Sequence, residues 1–499
     1  MPSNPSIQDT LRARAICVVI PTYNNAATVE RVVRGCLDYC LDVIVVNDGS
    51  NDGTHEILAG INSITCLEYA KNRGKGYALK TAFRHAKRAG FAYAITLDAD
   101  GQHFPEDIQT MLEANRQHPG ELIVGQRQME GTERSKGSSF ANRFSNFWFW
   151  VQTGRRLSDT QSGYRLYPLK KLYGLWYVTN RYEAELELMV FASWHGVKIK
   201  GTDIDVYYPP REQRVSHFRP AMDFCRISVL NTVLCLLAVI YGLPLRLFRW
   251  LMKWLRTGYA ALFFGFFSVF VITPLVVCYT KVGKNSPKKQ RRIHRLIHWV
   301  SRFVMIHHGI PGTRFSSKVE EGVDFSVPHI IICNHQSHLD LMCQLVFSPD
   351  MIFLTNDWVW KNPFYGGIIR NAEYYPVSEG LETLMPKLQS LVERGYSIAV
   401  FPEGTRSKNC AVQRFHQGAF YLAERLGLDI LPMCLYGPGK VLPKGVHSLN
   451  KGPIYIEVCK PVKRTELEAI GTNREQASWF RREYIRRYAE ISNRIEQDV

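Results

Sequence analysis

The chain has 499 residues, which is more than one hydrophobic core usually serves, so two or three domains are expected. With 46% hydrophobic and 21% charged residues, the composition is that of a folded protein and excludes wholesale disorder. The net charge of +17 calls for an anionic partner, and the basic residues adjoin the two most apolar stretches, which favours a membrane surface over nucleic acid.

The N-terminus and the cysteines both indicate a cytoplasmic protein. The first fifteen residues contain no apolar core, so no secretory signal peptide is expected. The 12 cysteines are scattered and include no Cys-x-x-Cys pair, so neither a zinc site nor a dithiol site is predicted. Reduced, mostly buried thiols fit this pattern.

From Ala15 to about Tyr208, short β-branched runs alternate with amphipathic stretches. The runs at 16–20, 43–46 and 93–97 predict buried parallel strands that each end in a polar turn. Between the first two, the spacing of Val29, Val32 and Val33 predicts a helix. Alternation of this kind predicts an α/β fold whose ligands bind beyond the carboxyl ends of the strands.

Two carboxylates follow the third of these strands at alternate positions. Asp98 and Asp100 can therefore reach one ion, and hard cations such as Mg²⁺ or Mn²⁺ prefer oxygen ligands. A lone Asp-x-Asp occurs by chance in many loops, but this one stands in order with other motifs. The ordered set is VVIPTYN (18–24), VVNDGS (45–50), NRGKG (72–76), DADGQH (98–103), GQR (125–127) and DTQSGYR (159–165).

This set resembles the GT-A fold glycosyltransferases of the dolichyl- and polyprenyl-phosphate sugar synthase type, over roughly the first 220 residues. The resemblance implies that Asp48 binds the nucleoside of a nucleotide sugar, although Asn47 stands where many relatives carry a further Asp. It implies that the metal ion and the diphosphate are held by Asp98, Asp100 and Gln102. It also implies catalytic or substrate-binding roles, mostly on the acceptor side, for Lys75, Arg127, Arg143, Asp159 and Arg165.

A basic loop precedes the apolar middle of the chain. His217 and Arg219 stand there with Arg214 and Ser216, where a lipid-borne acceptor would arrive. We expect His217 and Arg219 to bind the acceptor. The alternative for His217 is an ordinary surface histidine in a basic loop.

The middle of the chain is predicted to associate with a membrane. Residues 227–245 and 259–280 are uncharged, and the second run is long enough to cross a bilayer core of ~30 Å. Between them, Arg246, Arg249, Lys253 and Arg256 share one helical face, opposite an apolar face, which is typical of a helix lying in the membrane interface. The alternative is a buried core helix with a solvated basic flank.

The charges around this segment favour a re-entrant or interfacial hairpin. Seven Lys and Arg residues fall between Lys281 and Arg295. A single span would export them, against the positive-inside tendency, and a two-span hairpin would export 246–256 instead. A hairpin that does not cross the bilayer keeps both flanking domains in the cytoplasm.

The α/β alternation resumes near His329, with strands predicted at 329–332, 397–401 and 430–434. NHQSHLD (334–340) follows the first, so that His335 stands five residues before Asp340. A histidine oriented by a carboxylate can deprotonate a hydroxyl group. FPEGTRS (401–407) follows the second strand.

This pair of motifs resembles the lysophospholipid and glycerolipid acyltransferases of the 1-acylglycerol-3-phosphate acyltransferase type, over roughly 292–464. The resemblance implies that His335 is the base and Asp340 its partner, with no cofactor, while His338 is structural. It places Glu403, Gly404 and Arg406 in the substrate-binding pocket. One departure is YPVSE (375–379), which has Glu379 where the family usually has a phosphate-gripping arginine, so a sugar hydroxyl fits better as acceptor.

Together these features predict three segments: a glycosyltransferase domain at 1–222, a membrane-associated segment at 223–290 and an acyltransferase domain at 291–499. We expect a bifunctional transferase at the cytoplasmic face of the inner membrane. Its substrates would be a nucleotide sugar, acyl-CoA or acyl carrier protein, and a lipid acceptor. The alternative is a polyprenyl-phosphate sugar synthase fused to an independent phospholipid acyltransferase. No nucleic-acid partner is expected, because recognition motifs are absent from the sequence.

Overall fold

The structure is a computed structural model that describes residues 6–127, 136–172, 174, 177–207, 220–281, 286–307, 310–362 and 366–498. The chain divides into two compact units, one from the N-terminus to Arg249 and one from Trp250 to Ile495. Each unit contains one mixed β-sheet with helices packed against it, so the predicted α/β class is confirmed in both.

The first unit contains a seven-stranded sheet in the order β3-β2-β1-β4-β6-β5-β7, in which only β6 is antiparallel to its neighbours. The strands are β1 (Ile16–Thr22), β2 (Val43–Asn47), β3 (Thr65–Glu68), β4 (Tyr93–Thr96), β5 (Leu122–Arg127), β6 (Arg165–Pro168) and β7 (Ile199–Ile204). The helices are α1 (Ile7–Ala13), α2 (Val29–Tyr39), α3 (Thr54–Ala59), α4 (Lys75–Arg88), α5 (Asp107–Gln117), α6 (Lys136–Thr153), α7 (Leu169–Leu172) and α8 (Glu183–Trp194).

The three strands predicted in this unit are confirmed to within two residues, because their β-branched side chains are buried on both faces of the sheet. The predicted helix is also confirmed. α2 buries Val29, Val32, Val33 and Cys36, the i, i+3, i+4, i+7 face of an amphipathic helix.

A helical run follows, with α9 (Pro220–Leu237), α10 (Leu243–Phe266) and α11 (Thr273–Lys281) joined by π-helical turns at Ala238–Gly242 and Phe267–Ile272. The predicted hairpin is therefore wrong, because residues 220–281 contain no chain reversal. The physical reason is that residues 246–256, which we predicted as an interfacial helix, contain no Gly or Pro, so they continue the flanking helix without a turn.

The basic face of α10 also differs from the prediction. Arg246 Nη1 donates to Thr153 O at 2.9 Å and Arg249 Nη1 donates to Trp194 O at 2.6 Å. These carbonyls lie at the C-terminal ends of α6 and α8, where helices carry partial negative charge. Two arginines that we expected to face lipid headgroups therefore bind the protein instead.

Many large apolar side chains are exposed along this helical run. Within Phe224–Tyr279, only 7% of the most apolar 18-residue stretch is buried, so this is not an ordinary core helix. The segment is long and apolar enough to cross a membrane. Its exposed side chains include Val239, Ile240, Leu247, Trp250, Leu262 and Phe270.

The second unit contains another seven-stranded sheet, in the order β11-β10-β12-β9-β13-β14-β8, with β14 antiparallel to β13 and the other neighbours parallel. The strands are β8 (Thr313–Val319), β9 (Ile330–Cys333), β10 (Met351–Thr355), β11 (Tyr375–Pro376), β12 (Ser397–Val400), β13 (Ile430–Tyr436) and β14 (Gly452–Val458). The helices are α12 (Pro287–Arg302), α13 (Asp340–Leu345), α14 (Asp357–Trp360), α15 (Gly366–Asn371), α16 (Leu381–Glu393), α17 (Gly418–Leu426), α18 (Pro438–Val441), α19 (Arg464–Ile470) and α20 (Asn473–Asp498).

The three strands predicted here are confirmed as β9, β12 and β13. β9 lies between the other two at the centre of the sheet. The turns that follow the parallel strands β9 and β12 therefore lie side by side at one edge of the sheet, and these turns begin the NHQSHLD and FPEGTRS motifs.

Candidate active sites

The first candidate site lies at the carboxyl ends of β2 and β4 in the first unit. Asp48 follows β2, Asp98 follows β4, and Lys75 begins α4. The neighbouring strands β2, β1 and β4 are parallel, so their carboxyl ends share one edge of the sheet. That edge is where an α/β fold places its ligands.

Asp48 is buried and fixes the loop before α4. Its two carboxylate oxygens accept the backbone N–H groups of Arg73 at 2.8 Å and of Gly74 at 2.7 Å. Burial raises the pKa of Asp48, and these two N–H groups oppose the rise. The carboxylate thus already has two protein partners, so a nucleoside contact by Asp48 stays a prediction.

Lys75 joins two carboxylates at the centre of this site. Its Nζ lies 2.6 Å from Asp98 Oδ1 and 2.9 Å from Glu185 Oε2. Burial alone would lower the pKa of Lys75, but the charges of Asp98 and Glu185 raise it above its ordinary value. Lys75 therefore stays charged and partly neutralises the acidic motif.

Glu185 was not predicted from the sequence. It lies on α8, where every residue from Ala184 to Trp194 is buried, and it bridges Lys75 and Arg165, whose Nη1 lies 3.7 Å from Glu185 Oε1. A buried carboxylate needs a cation or several hydrogen-bond donors, and the buried Glu187 of the same helix accepts two backbone N–H groups. The acidic residues within this largely apolar run were the available signal, although the sequence does not say which group is the partner of Glu185.

Asp100 is the motif carboxylate whose pKa is raised above its ordinary value. Burial, followed by the nearby charge of Asp98, raises the pKa of Asp100 to about 6. The backbone N–H of Gln102 donates to Asp100 Oδ1 at 3.0 Å, which fixes the turn. In the part of the chain that the structure describes, no three His, Cys, Asp or Glu side chains converge to hold a metal ion by themselves.

Arg127 and Asp159, which we predicted to serve the acceptor side, bind each other. Arg127 Nε donates to Asp159 Oδ2 at 2.5 Å and Nη2 donates to Oδ1 at 2.9 Å, a two-pronged ion pair. Burial would raise the pKa of Asp159, but Arg127 lowers it below its ordinary value. The Asp159 side chain is fully buried, and that of Arg127 is 16% exposed.

Arg165, which we expected to contact the acceptor, is instead a buried support. Only 1% of its surface is exposed. Its nitrogens donate to protein oxygens, namely Ser162 O (2.7 Å), Tyr167 Oη (3.1 Å), Glu185 O (3.1 Å) and Thr160 O (2.9 Å). The reason is that a buried guanidinium must satisfy its donors within the protein.

One of the other predicted acceptor residues lies away from this cluster, and the rest lie outside the described residues. Arg143 is exposed on α6 and is not brought into contact with the acidic motif. His217 and Arg219 lie outside the described residues, as do Arg214 and Ser216. Their proposed acceptor roles stay predictions.

His103 is a further residue of the first site, and we predicted no role for it. It is buried, and both ring nitrogens have no hydrogen-bond partner among the described residues. Burial lowers the pKa of His103 to about 4, while the charge of Asp98 opposes that shift. Its ring packs edge-on against Tyr164 at 5.4 Å. Its place directly after the acidic run in DADGQH was the signal that could have found it.

The second candidate site begins with His335, directly beyond β9. His335 Nδ1 lies 2.8 Å from Asp340 Oδ2, and the backbone N–H groups of Gln336 and Ser337 donate to the same oxygen at 2.6 and 2.8 Å. Asp340 is fully buried. Because an ionised carboxylate only accepts, Nδ1 carries the hydrogen and Nε2 is left as the basic nitrogen.

Two neighbours fix the rest of the histidine. Its ring stacks on Phe401 with centroids 4.0 Å apart. Its backbone N–H donates to Glu403 Oε1 at 3.2 Å, and its carbonyl accepts the N–H of Ser407 at 2.8 Å. The two motifs thus form one hydrogen-bonded site, although 68 residues separate His335 from Glu403.

Glu403 is a buried acid with one free oxygen. Burial raises the pKa of Glu403 to about 7, and the N–H of His335 opposes that rise. Among the described residues, its Oε2 has no hydrogen-bond partner. The group is therefore poised to donate or accept one more hydrogen bond near neutral pH.

The remaining motif residues form the exposed wall of this site. Gly404 turns the chain with φ +66°. Arg406 is half-buried, and Lys444 Nζ donates to its carbonyl at 2.9 Å. His338 is exposed, with its ring 5.5 Å from that of Trp358, and is not brought to Asp340 as His335 is.

Glu379 stands where the resembling family usually has an arginine, and it pairs with a lysine. Its Oε2 forms an ion pair of 3.0 Å with Lys387 Nζ. Lys387 also lies over the ring of Tyr375, with Nζ 5.0 Å from the centroid. A position that would carry a phosphate-binding cation therefore carries a neutralised pair.

Comparison with known proteins identifies both units. The family model for glycosyl transferase family 2 matches residues 17–172, and the acyltransferase family model matches residues 314–436. The chain is a fusion of these two transferase families. The first candidate site lies in the glycosyltransferase unit and the second in the acyltransferase unit, so both predicted resemblances are confirmed.

Individual relatives match one unit each. An uncharacterized protein of Methanocaldococcus jannaschii is 31% identical over 39% of this chain and 82% of the relative. A UDP-N-acetylglucosamine–dolichyl-phosphate N-acetylglucosaminyltransferase of Methanococcus voltae is 27% identical over 39% of this chain and 86% of the relative. A chloroplastic 1-acyl-sn-glycerol-3-phosphate acyltransferase of Arabidopsis thaliana, LPAT1, is 26% identical over 41% of this chain, which spans only 58% of that enzyme.

Proposed function

We propose that this transferase moves a sugar from a nucleotide sugar to a lipid-like acceptor and an acyl group from acyl-CoA or acyl carrier protein to a hydroxyl of the resulting glycolipid. The order of the two transfers is left open. The observation that carries the proposal is the pair of separate reactive centres in one chain. Lys75, Asp98 and Asp100 belong to one, and His335 and Asp340 belong to the other.

The residues of the glycosyltransferase unit fit a divalent cation in part. Asp98 and Asp100 offer hard oxygen donors two positions apart, and Gln102 could add an amide oxygen. Burial and, after it, the charge of Asp98 raise the pKa of Asp100, and a bound cation would offset both effects. With no third acidic ligand, these groups fit Mg²⁺ or Mn²⁺ together with diphosphate oxygens. A bound cation would supply positive charge to the leaving diphosphate.

This chain's own residues would then position the sugar donor and acceptor. Lys75 lies beside Asp98 and places a permanent positive charge near the diphosphate. Arg127, held by Asp159, presents a fixed guanidinium to an anionic acceptor. Arg165 and Glu185 support Lys75 from behind.

The acyltransferase unit can catalyse attack of a hydroxyl on a thioester. The acceptor O–H proton moves to His335 Nε2 as the oxygen bonds to the thioester carbonyl carbon. The C–S bond then breaks, and the thiolate leaves with the proton returned from Nε2. Asp340 holds the required tautomer and stabilises the charged ring, while Glu403 Oε2 is free to bind the acceptor.

The local charge favours a sugar hydroxyl as the acyl acceptor. Glu379 and Lys387 neutralise each other where the family usually binds phosphate. Similarity to the dolichyl-phosphate and 1-acyl-sn-glycerol-3-phosphate enzymes favours a second candidate function. In that candidate, a polyprenyl-phosphate sugar synthase is fused to an independent lysophosphatidate acyltransferase. The two candidates predict different accumulating lipids.

Lipid mass spectrometry of cells producing only the His335→Ala chain distinguishes them. We expect glycosylated lipid that lacks one acyl chain to accumulate. If lysophosphatidate accumulates and the glycolipid keeps its full set of acyl chains, the second candidate is correct. His338→Ala is the matched control and should leave the lipid profile unchanged.

We also propose that the chain is held at the cytoplasmic face of the inner membrane, because both donors are cytoplasmic. The exposed apolar side chains of 224–279 support this proposal. Salt at about 1 M shortens the Debye length to roughly 3 Å and weakens headgroup attraction, but it does not weaken apolar burial. The chain should therefore need detergent for extraction, and release by salt alone would contradict this proposal.

A further inference from the structure

A surface cleft of about 520 Å³ lies in the acyltransferase unit, outside the catalytic motifs. One wall is the segment before α17, with Arg414 and His416. The other wall is the N-terminal part of α20, where Arg474, Ser478 and Arg481 recur at i, i+4 and i+7 and so share one helical face.

The cleft is strongly cationic. Three arginines line it, and none of its lining residues is a carboxylate. The neighbouring Glu475 is turned to the start of α20, where its carboxylate accepts from Thr472 Oγ1 at 2.7 Å and from Thr472 N at 2.8 Å. Arg414 and Arg474 are exposed and form no ion pair within the described chain, while Arg481 Nε donates to Gln413 O at 3.1 Å.

The cleft is joined directly to the acyl site. The N–H of His416 donates to Pro402 O at 2.8 Å, and Gln413 Nε2 donates to Thr405 O at 3.3 Å. A Cβ atom at Gly404 would lie 3.4 Å from the His416 ring. The cationic wall therefore packs against the same FPEGTRS turn that contacts His335.

We propose that this cleft binds the phosphorylated nucleotide end of an acyl-coenzyme A donor. This inference rests on the proposed acyl transfer at His335 and assigns its donor. Arginine binds phosphate oxygens through paired N–H groups, and three arginines with no acid suit a polyanion. The cleft volume falls within the range of about 300–1,000 Å³ that is typical of small-molecule sites. An acyl carrier protein would instead need a broad complementary surface of standard interface size.

Binding of free coenzyme A to the full-length chain in detergent micelles tests this inference, measured by isothermal titration calorimetry. Arg414→Ala and Arg474→Ala are suitable variants, because neither guanidinium holds the fold. Each should weaken coenzyme A binding about 10-fold, because each removes a charge-assisted contact to phosphate. Arg482→Ala is the matched control, since this exposed α20 residue does not line the cleft.

Two further arms identify what the cleft recognises. Dephospho-coenzyme A should bind more weakly than coenzyme A to the wild type, and the difference should shrink in the two variants. In acyl-transfer assays the variants should raise the KM for acyl-CoA with little change in kcat. An unchanged coenzyme A affinity in the double variant would overturn the inference, as would a KM increase seen only with acyl carrier protein.

Failure of this inference can be told apart from failure of the proposed function. Coenzyme A binding requires no catalysis, so it is measurable in His335→Ala. If acyl transfer is lost in His335→Ala, but substitution of both arginines leaves the coenzyme A affinity unchanged, only the cleft assignment fails. If coenzyme A binds through the arginines but His335→Ala keeps full activity, only the catalytic assignment fails.

Discussion

The two candidate sites of this chain differ in the groups that stabilise their carboxylates. In the glycosyltransferase unit, cations and carboxylates neutralise one another in two linked clusters, Lys75 with Asp98 and Glu185, and Arg127 with Asp159. The acyltransferase unit has one His–Asp pair in which backbone N–H groups, not cations, hold the carboxylate.

This difference follows from the substrates that each site would bind. A nucleotide sugar brings a diphosphate whose charge increases on departure, so the site needs cations that can be shared with it. Transfer from a thioester to a hydroxyl mainly moves a proton, so the site needs one base in one tautomer. We therefore expect the first site to depend on added cations and the second to be independent of them.

The largest expected effect is on the first site alone. Removal of divalent cations with a chelator, or Asp100→Asn, should reduce sugar transfer to background, because the carboxylate pair loses its cation. Acyl transfer to a preformed acceptor should be unchanged under both conditions. Transfer of radiolabelled sugar into a lipid extract measures the effect. Full sugar transfer in excess chelator would contradict the cation requirement.

A smaller effect is expected from loss of the base at the second site. His335→Ala should reduce the kcat for acyl transfer about 10²- to 10⁴-fold, the usual contribution of a general base. His338→Ala should change it little, because that ring is exposed and is not oriented by Asp340. An equal loss in both variants, with both folded by circular dichroism, would show that the base is misassigned.

Glu403 in the second site should make the stability of the protein depend on pH. Glu403 has a pKa of about 7 in the folded chain against 4.5 as its ordinary value, so the folded state holds its proton more tightly. The unfolding free energy of the wild type should therefore fall as pH rises from about 4.5 to about 7.

Glu403→Gln cannot ionise, so its stability advantage over the wild type should grow across that window. The difference should reach at most roughly 3 kcal/mol, and it should be constant above pH 7. Chemical denaturation of the two proteins at several pH values measures it. The exposed Glu466→Gln is the control, and a difference that shrinks with rising pH would have the wrong sign.

The smallest effect concerns packing at the first site. A Cβ atom at Gly163 would lie 2.5 Å from Asp98 Oδ2 and 2.9 Å from Lys75 Nζ, so this ion pair must shift in Gly163→Ala. Overpacking of this kind typically costs about 1–3 kcal/mol of folding stability, and displacement of the Asp98–Lys75 pair should also lower sugar transfer about 10-fold or more. Gly258→Ala, whose Cβ meets nothing within 4 Å, is the control, and equal activity of both variants would argue against a tight cluster.

Much of this arrangement was predictable from local sequence. The strands that carry both sites are buried on both faces, and their β-branched runs predicted them within two residues. Asp98 with Asp100, and His335 with Asp340, lie close in sequence, so their spacing was informative. The contact between His335 and Glu403 depends on the pairing of β9 with β12, which the sequence analysis did not predict.

The rest depends on packing that sequence spacing does not encode. Glu185 reaches Lys75 only because α8 packs beside α4, and no local pattern pairs those helices. Arg165 has the residue type of a ligand-binding group, but burial commits its nitrogens to the protein. Arg246 and Arg249 resemble a lipid-facing stripe, yet they cap helix ends instead.

A dual-label transfer assay tests most directly the claim that one chain contains two independent active sites. Purified wild type, Asp100→Asn, His335→Ala and the double variant receive a radiolabelled nucleotide sugar, a differently labelled acyl-CoA and a lipid extract. We predict that Asp100→Asn loses only direct sugar incorporation, that His335→Ala loses only acyl incorporation, and that the double variant loses both. If either single variant, shown to be folded, loses both labels on preformed acceptors or keeps both, the account of two separate centres is contradicted.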